Sequence, residues 1–166
     1  MDNYYAHATP GGVHRNETPG IPPLHVGKGT RYGALTLFPV WAEGGLFTVG
    51  DGHAVQGHGE VCVTALETCL TGTFTFVLHK RQGREPLISY PRAETTTHFI
   101  SMGMHSDLDE AMRMAVEEML RLLVDRLGFR ADDAYSLVSV AIDVGVTQVV
   151  DGVLGCHAGL AKKIVS

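Results

Sequence analysis

The hydrophobic period changes once along this chain, and that change limits what the chain can fold into. Leu108, Ala111, Met112, Ala115, Met119, Leu122 and Leu123 recur at helical spacing across residues 107–127. Before residue 103 the apolar residues come in short alternating or continuous runs, broken by Gly and Pro. A period of 3.6 lays one apolar stripe along a helix, whereas a period of two suits a strand. A series of strands followed by one long helix, and then strands again, predicts an α+β fold and not alternating βαβ units.

The helix carries its own punctuation. Ser106 is placed to cap its N-terminus, with Asp109 three residues on completing a capping-box pattern. Asp107, Asp109 and Glu110 suit the positive end of the helix dipole, and Arg121 and Arg126 the negative end. Gly128 is the expected stop. A second, shorter helix is expected over 132–141. Strands are expected from residue 34 to Trp41, then over 46–49, 60–68, 72–79, 87–90, 94–102, 144–150 and 160–165. Pro39 cannot donate to a ladder, which points to an edge or a bulge. Residues 1–33, rich in Gly, Pro and His, show no period and are read as an irregular N-terminal arm preceding a single domain over 34–166.

Composition excludes some roles. A formal net charge of −5 argues against nucleic acid or an anionic membrane as a partner, since both need a basic face. No apolar run reaches the roughly 18 residues a membrane span requires. The first residues, MDNYYAHATPGG, have neither a basic region nor an apolar core of the kind that directs secretion. Cys62, Cys69 and Cys156 sit in apolar runs and are odd in number, which predicts reduced thiols and a cytoplasmic location.

The chemistry concentrates in GDGHAVQGHGEVC, residues 50–62. In an extended backbone, residues two apart point the same way. Asp51 and His53 are so spaced, as are His58 and Glu60. A carboxylate and an imidazole from each pair make an N/O donor set that suits zinc or another divalent ion with an open water position. Water on such an ion ionises near neutral pH and attacks a carbonyl. Against this stands the plainer reading, in which Gly50, Gly52, Gly57 and Gly59 make turns and the polar residues are solvated. Cys62 opens a rival route, a thiolate nucleophile with Glu60 as base, beside the plainer reading of a small core residue. His79 and His98 lie in strand runs and are read as structural, and the Met residues as packing.

The same stretch also carries a likeness. VGDGHAVQGHGEVCVTALET resembles the signature region of the acetamidase/formamidase family. ETTTHFISMG followed by DLDEAMRMAVEEMLRLL is similar to that family's strand and long helix. DDAYSLVSVAIDVGVTQVVD is similar to its next helix and strand, and IPPLHVG and LTLFPVWAEGGLFTVGD also match. The likeness runs over residues 20–165 and is to the C-terminal portion of longer family enzymes.

The resemblance implies hydrolysis of short aliphatic amides, such as formamide and acetamide, to carboxylate and ammonia. The alternative is an inactive relative that binds a small ligand or a metal. It implies a β-rich, jelly-roll-like sandwich or barrel with the long helix in the C-terminal half, and a cytoplasmic homo-oligomer. It implies a divalent metal, zinc by donor type, near Asp51, His53 and Glu60. Gln56 becomes a substrate-contacting or supporting group, and His58 stands where an acid is usual.

Overall fold

The computed structural model describes residues 4–11, 35–40, 44–47, 53–69, 71, 73–80 and 88–166. The strands are β1 (Tyr4–Gly11), β2 (Leu35–Val40), β3 (His53–Val55), β4 (Leu66–Glu67), β5 (Thr73–Lys80), β6 (Arg92–Glu94), β7 (His98–His105), β8 (Ile142–Gln148) and β9 (Leu154–Ala161). Helices α1 (Leu108–Arg121) and α2 (Ala131–Ala141) lie between β7 and β8 in sequence. Seven strands form one sheet in the order β5-β1-β2-β6-β7-β9-β8, and β3 and β4 form a small separate ribbon. Every pairing in the large sheet is antiparallel. The fold is therefore α+β. The sandwich that the resemblance implies is not seen among the described residues, whose strands make one large sheet.

Helix α1 lies against β7 and β9. Phe99, Cys156, Ala158 and Leu160 from the sheet meet Ala111, Ala115, Met119, Leu122 and Leu123 in one core. The approach is close because Gly103 has no side chain: a Cβ there would stand 2.1 Å from the Ala111 carbonyl oxygen. Ser101 uses the same closeness, donating its hydroxyl to the Ala115 carbonyl at 2.7 Å. By alternation, His157, Gly159, Ile100 and Met102 face the opposite side of the sheet from α1.

A buried carboxylate ties α1 to the sheet. Glu118, 1% exposed, has one oxygen 2.9 and 2.8 Å from Nε and Nη2 of Arg92 on β6. Its other oxygen accepts from Arg121 at 2.7 Å and from the Ser89 backbone N–H at 3.2 Å.

The helix termini differ from expectation in detail. Asp107, not Ser106, is the cap of α1, and its carboxylate accepts from the N–H groups of Asp109 and Glu110. A charged acceptor there satisfies two orphan donors and also interacts with the helix dipole. After Arg121 the helix widens to π spacing over Leu122–Arg126, and Gly128 follows at φ +76°. The second helix begins one residue earlier than expected.

Several strand expectations need correction. The supposed irregular arm contains β1, paired on both sides with β2 and β5, so tertiary pairing outweighs weak local patterning. Residues 12–33 of that arm lie outside the described residues. Pro39 is not on an edge strand: it stands opposite Tyr5 of β1, while the β2–β6 ladder runs only from Leu35 to Leu37. Leu46 and Phe47 are irregular, and of residues 60–68 only Leu66 and Glu67 are strand, with Glu60 at φ +36° and Val63 at φ +66°. The strand expected near 87–90 is instead β6, and the closing pair lies at 142–148 and 154–161.

The Glu118 anchor gives a direct test. Glu118→Ala leaves Arg92 buried without its partner and should lower unfolding free energy by about 3–5 kcal/mol in urea titrations. A loss below about 1 kcal/mol, the range of an exposed pair, would remove the anchor role.

Candidate functional site

The glycine-rich stretch docks on the open edge of the sheet. The Gly59 N–H donates to the Thr147 carbonyl at 3.1 Å, and the Val149 N–H donates to the Gly59 carbonyl at 2.9 Å. This is a parallel bridge to the end of β8, whose outer edge pairs with no other strand among the described residues. Gly59 sits at φ +93°, a left-handed conformation that a side chain resists. Glu60 and Val63 follow with positive φ. Such backbone is sparsely populated for residues with side chains and persists only where its surroundings hold it.

Spanning the dock in sequence, a string of hydrogen bonds crosses the ribbon. His53 and Glu67 are directly opposite in β3 and β4, and His53 Nε2 lies 3.1 Å from Glu67 Oε2. The other ring nitrogen, Nδ1, is 2.7 Å from Gln56 Oε1. Gln56 Nε2 in turn donates to Glu60 Oε2 at 2.8 Å. A carboxylate only accepts, so the Gln56 amide must turn its NH2 to Glu60 and its oxygen to His53. His53 is then a donor at Nδ1, and both its nitrogens face oxygen. His53 is buried, whereas Glu60 is half-buried at the end of the string.

Immediately before the dock, His58 meets a residue that its own segment does not contain. Its ring centroid is 4.9 Å from that of His157 on β9, with the planes inclined at 37°. His157 is buried, and its Nδ1 is 2.8 Å from Thr147 Oγ1. Burial, reinforced by the neighbouring His58, pushes the His157 pKa down from 6.5 to about 4. Its Nε2 is buried and has no hydrogen-bond partner among the described residues.

The expected site residues therefore divide. His53, Gln56 and Glu60 come together in one hydrogen-bonded string. His58 goes to His157. Asp51 lies outside the described residues. Cys62 is exposed, and the Thr64 hydroxyl, followed by its backbone N–H, draws its thiol pKa downward. Glu60 is bonded to Gln56, not to Cys62. Among the described residues no three His, Cys, Asp or Glu side chains gather closely enough to hold a metal ion. His157 and Thr147 were not singled out by sequence reasoning. Their one local signal is a lone imidazole among Gly155, Ala158 and Gly159, where small residues clear space around it.

The sequence profile of the acetamidase/formamidase family matches residues 27–160. An acetamidase from Yersinia enterocolitica is 34% identical with a TM-score of 0.75, over 86% of this chain and 41% of that one. An acetamidase from Bacillus halodurans is 30% identical with a TM-score of 0.65, over 79% of this chain and 43% of that one. A protein described as a predicted acetamidase/formamidase, from the thermophile Thermoanaerobacter tengcongensis, is 27% identical with a TM-score of 0.67, over 80% and 42%. No curated protein matches the chain. The chain thus spans about two-fifths of the length of the solved structures it resembles. Among the described residues no helix is long and apolar enough to cross a membrane.

The buried imidazole gives this site a pH signature. Between pH 6.5 and about 4 the unfolded chain takes up a proton at His157 that the folded chain refuses. This contribution to stability is complete above the upper value and is lost as pH falls through the window. The His157 ring signal in NMR should titrate with a midpoint near the lower value, and a midpoint near 6.5 would contradict the buried placement.

Proposed function

The chain belongs to the acetamidase/formamidase family, and from that premise we propose that it hydrolyses short aliphatic amides, of the formamide and acetamide kind, to the carboxylate and ammonia. The observation that carries this reading is the string Glu67–His53–Gln56–Glu60, which ends on a half-buried carboxylate held through one oxygen.

In this reading Glu60 is the proton-transfer group. Gln56 occupies Oε2 and leaves Oε1 to face a water. Glu60 takes a proton from that water as its oxygen attacks the amide carbonyl carbon. It then returns the proton to the amide nitrogen as the C–N bond breaks. The carboxylic acid and ammonia so formed exchange a proton to give carboxylate and ammonium. His53 and Glu67 hold Gln56 in the one orientation that keeps Glu60 aimed. Cys62 stands as the rival nucleophile.

A divalent ion, zinc by the donor types of Asp51, His53 and Glu60, remains part of the proposal through Asp51. The described donors do not converge, because both His53 nitrogens are engaged and the Gln56 amide stands between His53 and Glu60. No step above runs through an ion.

A second reading is a relative that binds a small ligand or a metal without turnover. Ammonia release from formamide and acetamide separates the two. Under the first, Glu60→Gln should lower turnover by about 10²–10⁴-fold, while Cys62→Ser leaves it near wild type. Full activity in Glu60→Gln removes Glu60 from the chemistry. Loss of activity in Cys62→Ser brings back the thiol route.

We also propose that the protein assembles with itself through the helix-free end of the sheet. Phe47 packs on Phe74 and Phe76 there, with ring centroids 5.7 and 4.8 Å away, and Phe76 and Leu78 stay 53% and 54% exposed. Apolar side chains gathered like this favour association. Phe76→Glu should reduce the mass seen by light scattering to that of one chain. A wild-type protein already monomeric at high concentration would end this proposal.

A further inference from the structure

Glu60 stands in a turn that does not support itself. Its backbone and that of Gly59 before it are both left-handed, at φ +36° and +93°. The hydrogen bonds inside the turn are long, 3.4 Å from the Glu60 N–H to the Gly57 carbonyl and 3.5 Å from the Val63 N–H to the Glu60 carbonyl. N–H···O bonds of that length are weak. Backbone of this kind persists only where its surroundings hold it, so the support comes from outside the turn. The Gly59 bridge and the Gln56 amide supply two parts of it. His58, between them in sequence, supplies a third.

The strand pair beneath is shaped to receive that side chain. Val146 and Gln148 stand opposite Cys156 and Gly155, so Thr147 is an extra residue, a bulge in β8. The bulged residue makes two contacts at once. Its carbonyl accepts from the Gly59 N–H, and its hydroxyl is 2.8 Å from Nδ1 of His157. Gly145 lies directly across from His157, and a Cβ there would stand 2.7 and 2.9 Å from Nε2 and Cε1 of the ring. The imidazole therefore lies across its hairpin partner, in the space that a side chain at 145 would fill. His58 meets it with ring centroids 4.9 Å apart. Nδ1 is engaged by Thr147, and Nε2 is buried with no hydrogen-bond partner among the described residues, so the contact is one of rings and not of nitrogens. Burial holds the His157 pKa at about 4, so its ring is uncharged near neutral pH and does not repel His58.

We propose that His58 and His157 are positioning residues of the candidate site: their stacked rings, seated on Thr147 and Gly145, lock the Gly59 bridge and thereby aim the Glu60 carboxylate. This rests on Glu60 being the proton-transfer group of the amide reading. His58, Gly59 and Glu60 are consecutive, so a ring held on β9 fixes the backbone on one side of Glu60 while Gln56 holds its Oε2. A carboxylate fixed at both ends meets the water and the amide carbonyl in one geometry, and misplacing such a group by about 1 Å costs up to about a hundredfold in rate. In this role neither imidazole touches substrate or transfers a proton.

Two measurements on the whole chain test this. The first is amide hydrogen exchange by NMR at Gly59 and Val149, the two donors of the bridge. His58→Ala, at an exposed position, should speed exchange at both by roughly two- to tenfold, the range of an aromatic pair, while exchange within α1 stays as it was. His58→Phe keeps a ring without the imidazole nitrogens and should restore slow exchange. Thr147→Ser retains the hydroxyl and should keep exchange slow, whereas Thr147→Val should not. The second measurement is ammonia release. His58→Ala should lower kcat about ten- to a hundredfold with KM unchanged, and His58→Phe should recover most of the loss. Unchanged exchange in His58→Ala overturns the proposal, and so does a His58→Phe variant as impaired as His58→Ala. Faster exchange with an unaltered kcat overturns the aiming of Glu60. A wild type that releases no ammonia ends the amide reading instead, and exchange at Gly59 and Val149 still decides the lock.

Discussion

Two backbone hydrogen bonds at Gly59 hold the candidate site against the sheet. With them, the end of β8 acquires a short parallel neighbour, and the residues on either side of Gly59 acquire partners. The bridge needs a residue that is comfortable at φ +93° and small enough to be buried against the strand. Glycine meets both conditions.

The bridge is only as rigid as the edge strand beneath it, and that strand is held from the other face. Helix α1 lies so close to β7 that backbone atoms occupy the space where a Gly103 side chain would go. Packing at that distance is unforgiving, since protein interiors have the density of molecular crystals. The Glu118 carboxylate adds direction to the contact. A buried ion pair contributes little net stability relative to an apolar substitute, but either partner left alone is costly. Glu118 therefore disfavours arrangements of α1 that part it from Arg92. The hairpin of β9 and β8 shares the α1 core through Cys156, Ala158, Leu160 and Val146. The site residues His157 and Thr147 alternate with these on the same strands, so the core side fixes the orientation of the site side.

What was legible in the sequence follows from how local each signal is. The long helix was readable because its period is sustained and its stop is glycine. Ser106 and Asp107 are both competent caps, so adjacent candidates left the first residue open by one. The strand β5 was readable from Thr75, Phe76 and Val77, which suit a pleated surface. In contrast, β1 carries no clear alternation and exists because β2 and β5 pair with it on both sides. Thr147 and His157 are ten positions apart, and only the register of the β8–β9 hairpin brings them together. The family likeness drew attention to the motif, and a residue outside it was correspondingly passed over.

The spacing rule applied to the motif shows how a correct principle misleads when its premise fails. His58 and Glu60 are two apart, and in a strand they would share a face. The backbone between them is not extended: Gly59 and Glu60 are both left-handed, at φ +93° and +36°. The consequence is a division of labour. His53, Gln56 and Glu60 gather on the ribbon side, where their mutual hydrogen bonds fix the orientation of each. His58 leaves that group and finds an imidazole on β9. A stretch that reads in sequence as one crowded donor set is thus two interleaved sets, parted where the backbone turns left-handed at Gly59. That glycine's conformation, more than the identity of the donors, decides which atoms can meet a common ligand.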